Sequence, residues 1–186
     1  RSQMESILAD LRWFVDSGAF SHTADPKNVI QNAIRLAHHR IQHRTTLTTE
    51  LDNLPALAIS ESKLSQVIIN LVFNAAKARR PNQDTVNIWI GGTVVDDDVE
   101  LIVKDDGIGI AKHLHQRIFA PFYTTSKSEG TGLGLALCQS IIHNAHGRIE
   151  LNSEPGVGTS FTLRFPLHSI TPSKTRPSPH KTRILV

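Results

Sequence analysis

Residues 105–137 read D-D-G-I-G-I-A-K-H-L-H-Q-R-I-F-A-P-F-Y-T-T-S-K-S-E-G-T-G-L-G-L-A-L, a stretch in which two glycine clusters bracket a polar segment. The first cluster spans residues 105–110 and the second spans residues 130–135. The rest of the chain supplies strands and helices that can hold the two clusters in place. We therefore expect this stretch to decide the fold.

The first cluster follows an alternating apolar run, Val99, Leu101 and Val103, which is typical of a half-buried strand. This pattern places the carboxylate of Asp105 at a strand end. The glycines that follow let a ligand approach the backbone, because they carry no Cβ. The first cluster thus offers a buried acceptor that suits the exocyclic amine of a base.

The second cluster opens an apolar helical pattern that ends at a C-terminal cap, His146-Gly147. Glycines at a helix N-terminus expose unpaired backbone N–H groups at the positive end of the dipole. Such an end binds anions, most often phosphate. Together the two clusters indicate a nucleotide.

Either cluster alone is also compatible with an ordinary glycine-rich turn. The stretch is not a P-loop, because no lysine follows the glycines, and it lacks the G-x-G-x-x-G spacing of dinucleotide-binding folds. The sequence therefore predicts a nucleotide-binding fold of another kind.

Length and composition limit the class of protein. The 186 residues, 39% hydrophobic and 20% charged, can bury one core, and no run reaches the roughly 18 apolar residues of a membrane span. Cys138 is the single cysteine, so a disulfide framework is excluded and a cytoplasmic location is expected. A net charge of +3 without a basic stripe interleaved with aromatic residues argues against nucleic acid as a partner.

Before the glycine clusters, the chain predicts short helices and strands. Residues 4–15 carry apolar residues at helical spacing, and residues 25–38 predict a second helix that opens on an Asp-Pro N-cap. Residues 44–51 and 54–59 are predicted as strands.

Three histidines, His38, His39 and His43, invite a metal site. No cysteine or carboxylate joins them, so we interpret them as surface residues.

The helix predicted to start at residues 60–61 carries a polar row. Gln66, Asn70, Asn74 and Lys77 follow at intervals of four, four and three, which places them on one face. A solvated stripe would explain such a row, but Asn is a mediocre helix former without an assigned role. An Asn carbonyl oxygen suits magnesium, which takes few protein ligands, and a Lys one turn on suits a phosphate.

Beyond this helix, alternation predicts strands over residues 86–93, 99–104, 148–151 and 160–165. After residue 168 the composition turns to Pro, Ser, Thr, Lys and Arg, which predicts a flexible linker.

Five motifs, in this order, resemble those of sensor histidine kinases. They are the N box N-L-x-x-N-A-x-K (70–77), the G1 box D-D-G-I-G-I (105–110), the F box I-F-A-P-F (118–122), the G2 box G-T-G-L-G-L (130–135) and a closing G-x-G-T-x-F hairpin (156–161). Each motif alone is a weak signal, but five in the right order and spacing are very specific. Residues 25–168 are thereby identified as the ATP-binding catalytic domain of that family.

The resemblance implies an α+β fold, a two-layer α/β sandwich of the GHKL (Bergerat) type. In it, three helices lie on one face of a mixed β-sheet, preceded by a short N-terminal helix. Residues 1–20 would be the end of a dimerisation helix and residues 169–183 a linker. Residues 184–186 resemble the start of a receiver domain, as in a hybrid kinase, although a bare apolar tail explains them equally.

By position, the resemblance implies that Asp105 accepts the adenine amino group and that Thr159 shares a bridging water there. Gly107 and Gly109 would let the backbone close on the base. Ile110 is a further residue expected to bind the nucleotide at this end.

At the other end, Asn74 would hold Mg²⁺ across the phosphates, with Asn70 nearby and Lys77 on a phosphate; these three are the expected catalytic residues. The residues between Ile110 and Gly130 would form a mobile lid. Further expected ligand contacts or lid positions are Phe119, Phe122, Lys127, Gly130, Thr131, Gly132, Leu133, Gly134 and Leu135. Of these, Phe119 and Phe122 would pin the base of the lid. Lys127 would close over the γ-phosphate. Gly132 and Leu133 would donate N–H groups to the β- and γ-phosphates.

The sequence departs from the family in one respect, because no histidine here begins the phosphoacceptor pattern H-E-x-x-T-P. The acceptor is therefore expected upstream, on the kinase's own dimerisation domain in a homodimer, and a receiver domain or response regulator is the expected further partner. Gyrase-, MutL- and Hsp90-like relatives hydrolyse ATP with a Glu where Asn70 stands, and Asn cannot take a proton at neutral pH. Transfer of the γ-phosphoryl group to histidine is expected. The alternatives are ATP hydrolysis and a degenerate, non-catalytic scaffold.

Overall fold

The computed structural model describes residues 23–38, 41, 44–51, 53–124 and 131–167. Several predictions concern positions outside these residues, and they stay predictions. They are the helix over 4–15, the histidines His39 and His43, the lid residues Lys127 and Gly130, and the linker and receiver strand after residue 168.

Three α-helices form one layer, and their bounds are Pro26–His38 (α1), Glu61–Lys77 (α2) and Gly134–Asn144 (α3). Five strands form the other layer: Thr45–Leu51 (β1), Val86–Val95 (β2), Asp98–Asp105 (β3), Arg148–Glu154 (β4) and Gly158–Pro166 (β5). Two short 3-10 turns, Lys112–Leu114 and Arg117–Phe119, lie between β3 and α3. The predicted two-layer sandwich with a mixed sheet is confirmed.

The strand order in the sheet is β1-β2-β3-β5-β4. β1 and β2 run parallel, and α2 makes the crossover that a parallel pair needs. All other neighbours are antiparallel, with β2–β3 and β4–β5 as hairpins. This order places the end of β3 beside the start of β5.

The core lies between the sheet and the helices. Alternate residues of β2, β3 and β5, such as Ile90, Leu101 and Leu163, are fully buried against the apolar face of α2, which includes Leu64 and Ile68. α2 packs between α1 and α3 and contacts β2 and β3. The polar row of α2 is therefore held in a constant position relative to the end of β3.

The strand predicted over residues 54–59 is wrong. Pro55 has no N–H to donate to a ladder, and only Leu57 makes a bridge, in which its N–H donates to the Ala24 carbonyl at 2.8 Å and its C=O accepts from the Ala24 N–H at 2.9 Å. Leu57 is buried, so this segment closes the core at α1 without joining the sheet.

Helix α3 begins at Gly134, at the end of the second glycine cluster. Its C-terminal cap lies where it is predicted, but the left-handed residue is His146, at φ 57°, while the Gly147 N–H bonds to the Ile142 carbonyl at 2.9 Å. Across the described part of the chain, no helix is long and apolar enough to cross a membrane.

Candidate functional site

Asp105 lies at the end of β3 with its side chain 5% exposed. The Gly107 N–H donates to Asp105 Oδ1 at 2.9 Å, and the backbone of Thr159 supplies a further hydrogen bond. Burial raises the pKa of Asp105 to about 6, against the lowering effect of these hydrogen bonds. At neutral pH the residue is therefore a mostly ionised, buried acceptor.

Thr159 pairs directly with Asp105 across β3 and β5 and is equally buried, at 5% exposed. Its Oγ1 lies 3.0 Å from Ser153 Oγ on β4. The structure thus brings together the two residues that were predicted to read adenine. It also adds Ser153, which the sequence analysis missed.

A signal for Ser153 was present in the sequence. Along β4, residues 149, 151 and 153 alternate inward, and Ser153 is the polar member of an otherwise apolar set. A polar residue at an inward strand position needs hydrogen-bond partners, which it finds here in the Ile110 N–H and the Gly158 carbonyl.

The glycines of the first cluster pack closely against other parts of the protein, and their predicted role at the base stays a prediction. A Cβ at Gly107 would lie 2.3 Å from the carbonyl oxygen of Ala78, just after α2, and one at Gly109 would lie 2.0 Å from that of Glu154. Gly109 also has φ +70°, which side chains disfavour. The loop is thus wedged between the end of α2 and the β4–β5 turn.

Hydrogen bonds also hold the loop after β3 against the end of α2 and the β4–β5 turn. The Ile108 N–H donates to the Ala78 carbonyl at 2.6 Å, and the Gly156 N–H donates to the Ile108 carbonyl at 2.8 Å. The polar backbone of Ile110 is engaged as well, because its N–H donates to Ser153 and its carbonyl lies 3.0 Å from His115 Nε2.

Asp106 differs from its neighbour, because the protein satisfies it fully. Asn87 donates through its N–H and its Nδ2 at 2.8 and 2.7 Å, and Gln83 donates through Nε2 at 2.6 Å. Burial works to raise the pKa of Asp106, but these hydrogen bonds outweigh it and lower the pKa. Asp106 therefore anchors the loop, and Asp105 keeps acceptor capacity for a ligand.

The polar row of α2 runs from the core to the surface. Gln66 is buried, Asn70 is half-buried, and Asn74 and Lys77 are exposed. The three residues predicted to bind, Asn70, Asn74 and Lys77, are thus the ones that are at least partly accessible.

Asn70 lies beside the start of α3. Its Oδ1 is 3.5 Å from the point where a Cβ on Gly134 would stand, and the Cys138 thiol on the same helix donates to the Val67 carbonyl of α2. Cys138 is fully buried on α3, and burial raises the pKa of its thiol to about 12. Asn70 thus lies near the N-terminus of α3, and Asn74 follows it one turn further along α2.

The N-terminus of α3 carries the rest of the second glycine cluster. The N-cap residue is Leu133, whose apolar side chain makes no capping hydrogen bond. The Leu133 N–H lies 3.4 Å from Thr131 Oγ1, at the long limit of a hydrogen bond. Leu135 packs on the core. The backbone N–H groups of this turn can serve an anion.

The lid residues 111–124 contain the two 3-10 turns. Phe119 packs edge-to-face on Phe161 of β5, with ring centroids 6.3 Å apart, as expected of a residue that pins the lid. Phe122 does not share this packing, because its side chain is 74% exposed and its φ is +65°. Its backbone instead meets Gly132, where a Cβ would lie 2.4 Å from the Phe122 carbonyl carbon.

Within the parts of the chain that the structure describes, no cluster of three or more His, Cys, Asp or Glu residues could hold a metal ion. The exposed side chain of Asn74 carries an amide oxygen, a type of ligand that suits Mg²⁺, which takes few protein ligands.

Comparison with known proteins identifies this arrangement. A family described as "Histidine kinase-, DNA gyrase B-, and HSP90-like ATPase" matches residues 59–169. The chain is similar to the signal transduction histidine-protein kinase AtoS of Escherichia coli, with 38% identity over 130 residues, 69% of this chain and 21% of the relative. It is also similar to cyanobacterial phytochrome A of Nostoc sp., with 31% identity over 172 residues, 89% of this chain and 22% of the relative. The chain thus spans about a fifth of the length of these two relatives.

Among solved structures, the catalytic domain of the histidine kinase ThkA superposes with a TM-score of 0.67 at 28% identity. The match covers 77% of this chain and 93% of that one. The described residues thus contain nearly all of that catalytic fold.

Proposed function

This chain belongs to the family of histidine kinase-, DNA gyrase B- and HSP90-like ATPases, and we propose that it acts as the ATP-binding catalytic domain of a sensor histidine kinase. It transfers the γ-phosphoryl group of ATP to a histidine on the kinase's own dimerisation domain. The observation that carries the proposal is the buried carboxylate of Asp105 at the end of β3, directly across the sheet from the equally buried Thr159.

At the base end, Asp105 accepts the adenine amino group. One of its oxygens already receives the Gly107 N–H, and the carboxylate retains capacity for a further donor. A buried acceptor of this kind rejects a ligand that has no donor for it, because the unpaired carboxylate would remain desolvated.

At the phosphate end, Asn74, Lys77 and the first turn of α3 bind the triphosphate. Bound Mg²⁺ neutralises charge on the phosphates. Asn74 supplies an amide oxygen to the metal, Lys77 supplies a cation to a phosphate, and the backbone around Gly132 and Leu133 supplies N–H donors. Lys127, Gly130 and Thr131 are proposed to complete this end when the lid closes.

Asn70 favours transfer to a protein over hydrolysis of ATP. It lies one turn before Asn74, where hydrolytic relatives carry their general base. An amide cannot take a proton from water at neutral pH.

The proposal extends to the surroundings of the domain. The complete protein would be a homodimer that works in the cytoplasm, and a receiver domain or response regulator would take the phosphoryl group from its histidine. Nucleic acid is not a proposed partner.

Calorimetric titration with a non-hydrolysable ATP analogue and Mg²⁺ tests the function. Wild type should bind and Asp105→Asn should bind more weakly. The matched control is Asp97→Asn, which changes an exposed carboxylate in the β2–β3 turn and should bind like wild type. Phosphorylation of an acceptor domain added in trans completes the test. Failure of wild type to bind would favour a non-catalytic scaffold, whereas rapid ATP turnover without an acceptor would favour a hydrolase.

A further inference from the structure

Ser153 contacts three groups of the base end at once. The Ile110 N–H donates to its Oγ at 2.8 Å, the Gly158 carbonyl oxygen lies 2.8 Å from the same Oγ, and Thr159 Oγ1 lies 3.0 Å from it. These three groups belong to the loop after β3 and to β5, so Ser153 joins two of the elements that surround the base.

Counting protons decides the direction of each hydrogen bond. A serine hydroxyl has one proton to donate and two lone pairs to accept. The Ile110 N–H can only donate, and the Gly158 carbonyl can only accept. The proton of Ser153 must therefore point to Gly158, and its second lone pair remains for Thr159. The Thr159 hydroxyl is consequently the donor in the contact between the two side chains.

This direction determines what Thr159 offers to a ligand. Its only hydroxyl proton is directed at Ser153, so the oxygen presents lone pairs to the site. Asp105, its direct partner across the sheet, is ionised at neutral pH and also only accepts. The two side chains that meet the edge of the base are thus both acceptors.

We propose that Ser153 is a positioning residue that holds Thr159 as an acceptor and thereby makes the site selective for a 6-amino purine over a 6-oxo purine. This inference rests on the proposed function, because it assumes that the base binds at Asp105 and Thr159. A 6-amino group can donate hydrogen bonds to these two acceptors, either directly or through a bridging water. A 6-oxo group presents an acceptor where the 6-amino group presents a donor, so it cannot pair with either of them.

The test compares ATP with inosine triphosphate, whose base carries the 6-oxo group, and measures both affinities on the whole chain by calorimetry. In Ser153→Ala the Thr159 hydroxyl regains its proton and can donate to the 6-oxo group. The preference for ATP should therefore fall by about threefold to tenfold, the range expected for one neutral hydrogen bond. Ser160→Ala is the matched control, because Ser160 is the next residue of β5 and faces the opposite side of the sheet.

Two further variants separate positioning from support of the fold. Ser153→Thr keeps the hydroxyl and should keep the preference, whereas Ser153→Val has nearly the same shape and should lose it. In Thr159→Val the same preference should fall, and adding Ser153→Ala to it should cause no further change, because the two residues act through one hydroxyl.

Each result has one meaning. Equal weakening of ATP and inosine triphosphate by Ser153→Ala and Ser153→Val would overturn the inference, because it would show a structural role alone. An unchanged preference in both variants, with ATP binding still weakened by Asp105→Asn, would overturn the inference and leave the proposed function standing. If wild type has no preference and Asp105→Asn binds ATP normally, the proposed adenine site fails and the inference fails with it.

Discussion

The proposed base end and the proposed phosphate end of the site are built in different ways. Asp105 and Thr159 are both 5% exposed, and hydrogen bonds from the adjoining loop and from β4 hold them in place. Asn74 and Lys77 project from the exposed part of α2, and Phe122 in the adjacent lid is 74% exposed.

We expect this difference to divide the work of the site, with the base end recognising the nucleotide and the phosphate end serving transfer of the phosphoryl group. The base end has its hydrogen bonds in place before any ligand arrives, so little is reorganised on binding. The phosphate end depends on charge that the nucleotide and its metal bring. Changes at the first end should therefore affect affinity regardless of the metal, and changes at the second should affect metal-dependent binding and transfer.

The largest effect is expected from Asn74→Ala. Loss of its amide should lower phosphorylation of an acceptor domain by about 100-fold or more, because the metal supplies several kcal/mol of charge stabilisation. ATP affinity should fall with magnesium present and change little in EDTA. Asn144→Ala, at the exposed end of α3, is the control. The same loss of affinity in both conditions would contradict the assignment of Asn74 to the metal.

The buried carboxylate should make the stability of the fold depend on pH. The pKa of Asp105 is about 6 in the folded protein, above its value of 3.8 in an unfolded chain, so the native state binds more protons between these values. Stability from this group is therefore greatest at low pH and falls as pH rises to about 6. The shift of about two units corresponds to roughly 3 kcal/mol.

Asp105→Asn isolates this contribution from that of Asp106, whose lowered pKa acts in the opposite direction. The free energy of unfolding, measured with urea, should rise in Asp105→Asn relative to wild type by up to about 3 kcal/mol between about pH 4 and pH 7. A constant difference between the two proteins across this range would show that Asp105 is ionised as readily in the fold as outside it.

The same variant should bind ATP more weakly, although its fold should be more stable. Asp105→Asn should weaken ATP affinity by about 1.5–3 kcal/mol, the value of a hydrogen bond to a charged group, with magnesium or with EDTA. In wild type, affinity should also decline as pH falls through about 6, because a protonated Asp105 loses an acceptor. A loss that appears only with magnesium would place Asp105 at the phosphate end.

The smallest effect is expected from Phe122→Ala. Its exposed ring makes little contribution to the core, so the free energy of unfolding should change by less than about 0.5 kcal/mol. Phe119→Ala should cost more, because that ring packs on Phe161. Thermal unfolding of both variants measures the contrast, and equal losses would mean that both rings pin the lid.

The sequence by itself determined the elements and the order of the motifs. The strand that ends at Asp105, the helix that carries Asn70, Asn74 and Lys77, and the helix after the second glycine cluster all follow from periodicity, which depends on neighbouring residues. The resemblance of the motifs to a known family then placed these elements in one site.

Only the tertiary structure decided which groups meet. Gly109 contacts Glu154, and Ser153 contacts Ile110, across more than 40 residues of chain. No local pattern encodes such pairs, because they arise when the β4–β5 turn folds back on the loop after β3. For the same reason the strand predicted over 54–59 was wrong, and the ring of Phe122 is exposed where it was predicted to pin the lid. Local propensity describes what a segment favours, and packing decides what it contacts.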